Sequence, residues 1–160
     1  MQNPNQAFKL FMLIFGVPFI VIALCLRPVL ATEGPVQAAE QFKLAVQYHT
    51  GQNLQQNSEQ AIHWYEQAAQ QGHPKAQVNL GVILCEGYAT PKEFERGLHW
   101  LQKAAEQGEI NAQYKIGCLY LEGTKLSKDL TLARHWLKKA ADAGHADAQM
   151  MFNLCASDNP

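Results

Sequence analysis

Small and apolar residues recur along this chain at helical steps. In GLHWLQKAAEQG, Gly97, Trp100, Leu101, Ala104, Ala105 and Gly108 stand at offsets of three, four, seven, eight and eleven, which puts them on one stripe of an α-helix. Variants of this string begin at Ala61 (AIHWYEQAAQQG) and at Ala133 (ARHWLKKAADAG), each 36 residues from its neighbour. The columns include Trp64, Trp100 and Trp136, then Ala68, Ala104 and Ala140, then Gly72, Gly108 and Gly144. A glycine at each helix end can take the left-handed conformation that closes a helix at little steric cost. A fixed period in this range marks a solenoid, whose unit is too small to bury its apolar face except against its neighbours.

A second element lies downstream of each string. Ala76 and Gln77 are matched by Ala112 and Gln113 and by Ala148 and Gln149, and Leu80 and Gly81 by Ile116 and Gly117. One period earlier, Gln41, Leu44, Tyr48 and Gly51 begin the array. Ala112, Ile116 and Tyr120 recur at steps of four and predict an A helix, whose small residues let the B helix that carries the tryptophan approach closely. The segments from Gly87 to Lys92 and from Gly123 to Lys128 break the pattern and are expected to be loops between A and B. The expected fold is all-α: a solenoid of helical hairpins over residues 32–155, with units of about 37–72, 73–108 and 109–144, a closing helix at 145–155 and a tail at 156–160.

The first 31 residues differ. No residue from Leu10 to Leu26 is charged, and the run LFMLIFGVPFIVIALCL predicts an N-terminal hydrophobic helix: a signal peptide cleaved after Ala31, or a membrane anchor. Leu24 before Cys25 argues against lipoprotein processing. Either way the repeats are expected to be exported, periplasmic or anchored facing the periplasm if the source is bacterial. Of the 13 basic residues, loss of Lys9 and Arg27 leaves 11 against 14 acidic ones, which predicts no basic patch and no nucleic-acid partner.

The chain carries no G-x-S-x-G elbow, H-E-x-x-H, phosphate-cradling loop or C-x-x-C, so no catalytic residue, cofactor or metal is assigned and an enzyme is not expected. His63, His99 and His135 precede the tryptophans in register, but successive units are too far apart for the row to meet at one metal. Cys85, Cys118 and Cys155 sit one per A helix among apolar residues and are expected to behave as small buried hydrophobes, with Cys118 and Cys155 the pair to consider if any disulfide forms. The glutamine column Gln41, Gln77, Gln113 and Gln149 is expected to satisfy backbone groups across units.

The order Ala112, Ile116, Gly117, Tyr120, Gly123, Ala133, Trp136, Ala140, Ala141 and Gly144 resembles the Sel1-like repeat, a relative of the tetratricopeptide repeat. Ala89 and Lys125 depart from the family pattern, which has a second glycine at that point of the A–B loop. The resemblance implies a right-handed superhelical stack that acts as an adaptor or scaffold. A narrower implied role is an inhibitor or immunity-type partner of an exported toxin. The cysteine-rich, β-lactam-binding branch is a poor match, since its cysteine pairs are missing here.

Specificity is expected where the columns vary. On a helical wheel the A helices leave an exposed strip of Lys43 and Gln47, then Lys75, Asn79, Ile83 and Glu86, then Asn111, Lys115, Leu119 and Glu122, then Met151 with Cys155. In tetratricopeptide-like stacks this strip lines the concave groove, and its mix of charge and aliphatic side chains suits a protein or peptide partner. The closing helix adds Met150, Phe152 and Leu154, an alternative surface for a partner or for a second copy.

Overall fold

The computed structural model describes residues 33–87 and 90–157, so the hydrophobic run at 1–31 lies outside the described residues. These form seven α-helices and no strand: α1 (Glu33–Thr50), α2 (Ser58–Gln70), α3 (Pro74–Glu86), α4 (Pro91–Glu106), α5 (Ile110–Glu122), α6 (Leu130–Asp142) and α7 (Ala146–Ser157). By their contacts, the described residues from 37 to 157 make one compact unit. Odd-numbered helices are A helices and even-numbered ones B helices. Among the described residues, no helix is long and apolar enough to cross a membrane.

Several helices start where the sequence supplies a side-chain cap. Asn57 accepts the N–H of Gln60 at the head of α2, and Asp129 accepts those of Thr131 and Leu132 at the head of α6. Thr90 and Glu93 form a reciprocal capping box with Pro91 at the first helical position of α4. This corrects the loop expected from Gly87 to Lys92: Pro91 and Lys92 are helical, because proline's missing N–H and fixed φ cost nothing in a first turn. The other loop runs on to Asp129, one residue beyond expectation. At the far ends of the B helices, Gly72, Gly108 and Gly144 have φ of 85°, 90° and 95°, left-handed turns that let the next A helix fold straight back.

The A and B helices of one repeat meet through glycine. A Cβ on Gly81 would lie 2.7 Å from Leu101 Cγ and 2.9 Å from the Gly97 carbonyl oxygen, and one on Gly117 would lie 2.7 Å from Leu137 Cγ. Leu101 and Leu137 are fully buried in the space those missing side chains leave. The core is segmented by repeat. Ala45, Tyr65, Ala76, Leu80 and Leu84 form the first cluster; Val78, Phe94, Leu101, Ala112 and Ile116 the second; Leu137, Ala140, Ala148 and Cys155 the third. The first cluster joins residues of the first two units, and both Trp64 and Trp100 pack on it, as Trp136 does on the second. Burial thus comes from stacking, as a solenoid requires.

Candidate functional site

The strip predicted on the A helices divides by burial. Lys43, Lys75, Glu86, Asn111 and Glu122 are exposed, whereas Gln47, Asn79, Ile83, Lys115, Leu119 and Met151 are half-buried. Ile83, Leu119 and Met151 pack against the three clusters, and Cys155, 7% exposed, belongs to the core and not to the strip. Contacts with the core hold these aliphatic side chains in place. The structure brings Lys115 and Glu86 together as an ion pair between adjacent A helices.

Asn79 is oriented from behind. Its amide donates to the Tyr65 hydroxyl at 3.1 Å, and that hydroxyl is also 3.4 Å from His49 Nδ1. Tyr65 is 1% exposed, and burial pushes its phenol above its ordinary range although the bond from Asn79 opposes the shift. The phenol therefore stays neutral and serves as a fixed hydrogen-bonding post behind the strip.

Lys43 and Gln47 open onto a cavity of about 450 Å³ that is also lined by Gln37, Glu40, Gln41, Leu44 and Trp64. Trp64 Nε1 is buried and has no hydrogen-bond partner among the described residues. Sequence reasoning named Lys43 and Gln47 but missed Glu40 and Trp64. The available signal was a break in a column, since Glu40 stands where the later A helices carry Ala76, Ala112 and Ala148. A second cavity, of about 400 Å³, is lined by Asn111 of the strip with Gln107, Glu109, Ile110 and His145.

The repeated polar residues have local work. Gln77 and Gln113 donate to the carbonyls of Ala69 and Ala105 at 3.1 and 3.2 Å, tying each A helix to the B helix before it. Gln41 accepts from Gln71, while Gln149 is exposed and pairs with Asn153 on its own helix. His63, His99 and His135 are exposed, each beside its own tryptophan with ring centroids 5.2, 5.9 and 5.4 Å apart. No group of three or more His, Cys, Asp or Glu side chains among the described residues is placed to hold a metal. Cys85, Cys118 and Cys155 are free thiols. Burial pushes the Cys85 thiol up to about 11, against the pull of Lys125, so at neutral pH it is almost wholly the unreactive thiol.

The sequence model of the Sel1 repeat matches residues 41–73, 74–109 and 110–145, well over half of the chain. Among solved structures, a protective antigen of uropathogenic Escherichia coli strains with an SLR fold is 35% identical, with a TM-score of 0.64 over 69% of this chain. That relative is much larger, and the match covers only 24% of it. A Sel1 repeat protein from Oxalobacter formigenes is also 35% identical, with a TM-score of 0.62, over 72% of this chain and 87% of its own. No curated protein matches the sequence at a significant level.

Proposed function

From the premise that this chain belongs to the Sel1 repeat family, whose members generally act in protein–protein interaction and are typically non-catalytic, we propose that it holds a protein or peptide partner along the A-helix strip. The observation that carries the reading is the cavity beside α1. There Lys43 and Gln47 line an opening together with Leu44 and Trp64. A peptide laid across this end gains apolar contact with Leu44 and Trp64 beside the polar groups of Lys43 and Gln47. It then meets Lys75, Asn79, Asn111 and the Lys115–Glu86 pair in succession, a mixture that supports side-chain recognition along an extended or helical segment.

Export is part of the same proposal, supported by the uncharged run from Leu10 to Leu26. Mass spectrometry of the mature chain gives the outcome directly: Thr32 as the first residue for a signal peptide, an intact amino terminus for an anchor.

Site-specific photocrosslinking tests the strip. A crosslinker at Lys43 or Leu119 should capture a discrete partner in cells, and the same group at His99, on the exposed face of α4, should not. Equal capture from both faces, or capture from His99 alone, would remove the strip from the proposal.

A further inference from the structure

Two histidines at junctions of the stack share an arrangement that the repeat does not require. His73 lies in the turn between α2 and α3. Its Nδ1 accepts the N–H of Ala76 at 3.2 Å, capping α3, and its ring lies flat on Phe42 of α1, with centroids 4.6 Å apart and 17° between planes. Its backbone is fixed at both ends, the N–H by the Ala68 carbonyl at 3.1 Å and the carbonyl by the Gln77 N–H, also at 3.1 Å. Its side chain therefore touches α1 and α3, while its backbone N–H ties it to α2. His145, two repeats on, copies this geometry: Nδ1 accepts from Ala148 at 3.3 Å and the ring stacks on Tyr114 with centroids 4.3 Å apart. Glu109 occupies the corresponding place between them and makes no side-chain cap bond.

An imidazole nitrogen can cap a helix only while it is unprotonated. A proton taken from solvent at Nδ1 turns the acceptor into a donor aimed at another donor, and it sets a positive charge against the positive end of the helix dipole. We infer that His73 is a proton-operated latch between the first and second repeats, closed as the neutral imidazole and loosened when Nδ1 is protonated.

The ionisable groups acting on His73 among the described residues are Lys75 on its own helix and Glu109 at the head of α5, while α1 presents the uncharged ring of Phe42. Burial, the largest influence, draws the imidazole below its ordinary 6.5; a bond to its own backbone opposes this, Lys75 adds to it, and Glu109 opposes it. The neutral form is thus the one that folding favours. Its contribution is fully present above 6.5 and is lost as pH falls through the lowered folded value, because the unfolded chain binds the proton first.

Peptide-resolved hydrogen exchange on the full chain, corrected for intrinsic rates, tests this at about pH 7.5 and about pH 5. The first turn of α3 should open about fivefold more at the lower pH, the factor expected for a lost helix cap. The first turn of α5, headed by Glu109, should not follow it. His73→Asn keeps a capping oxygen that does not titrate, and it should hold α3 closed at both values. An acid response that persists in His73→Asn, or one shared equally by α5, overturns the latch. Should that variant fold poorly, the imidazole resonance of His73 in the unaltered chain decides instead: titration at or above 6.5 would show that the proton does not work against the folded junction.

Discussion

Gln107, at the end of α4, donates its side-chain N–H to the carboxamide oxygen of Gln77 on α3, 2.7 Å away. Gln71 does the same to Gln41 at 2.5 Å. The third bond of the series is missing because Ala143 stands where the repeat calls for glutamine, and Gln113 Oε1 is accordingly buried with no partner among the described residues. The backbone at the three donor positions is nearly identical, with φ and ψ of −81° and 7° at Gln71, −78° and −1° at Gln107, and −85° and 2° at Ala143. Ala143→Gln should therefore complete the ladder without strain and stabilise the chain by about 1 kcal/mol, the typical gain from satisfying a buried acceptor. Chemical denaturation measures it. An unchanged midpoint for Ala143→Gln, beside a clear loss for Gln107→Ala, would show that Gln113 is already satisfied by water.

That ladder also marks the limit of what the chain discloses by inspection. Columns of identical residues, such as Trp64, Trp100 and Trp136, fix helix faces and the stacking order, because burial against a neighbour demands the same shape each time. The Gln77 and Gln113 bonds to backbone carbonyls were legible for the same reason. What inspection missed depends on pairs of columns taken together. Gln71 and Gln107 matter only because of Gln41 and Gln77, and His73 only because Phe42 lies across the junction. The candidate site was half visible: Lys43 and Gln47 were found from the wheel, while Trp64 was assigned wholly to the stack, although it also lines the cavity.

The glycine contacts predict a coupled pair. A methyl group on Gly117 would meet Leu137 at Cγ and Cδ2, 2.7 and 2.9 Å away, so Gly117→Ala should cost about 1–3 kcal/mol through overpacking. Leu137→Ala, which empties a fully buried site, should cost about 2–5 kcal/mol. The two losses should not add, since the smaller side chain in the double variant makes room for the new methyl. Strict additivity in a denaturation cycle would mean that the helices yield elsewhere.

Thiol chemistry follows from the burial of Cys85. With its pKa raised to about 11 from 9.0, its thiolate fraction near neutrality is roughly a hundredfold below that of an unperturbed cysteine, and access is restricted as well. Cys118 is shifted upward too, again chiefly by burial, with the bond to Tyr114 opposing. Alkylation mapped by mass spectrometry should find both nearly inert in the folded chain at neutral pH and reactive once denaturant is added. Labelling of Cys85 should rise steeply with pH towards its raised value. Rapid labelling of Cys85 under native conditions would contradict its placement in the second core cluster.

The Lys115–Glu86 pair separates the stack from its proposed binding face. Both side chains are substantially exposed, at 39% and 57%, so water screens their attraction, and breaking the pair should cost no more than about 1 kcal/mol. Lys115→Glu should melt close to the parent chain, and adding Glu86→Lys should recover most of the small loss by reversing the pair. Partner binding should behave differently. A partner that reads the sign and position of these charges loses affinity in Lys115→Glu and does not regain it in the double reversal, because the restored pair points the wrong way round for its ligand. Binding that recovers in step with stability would mean that the pair serves only to hold α3 to α5, and the docking face would then have to lie elsewhere on the A helices.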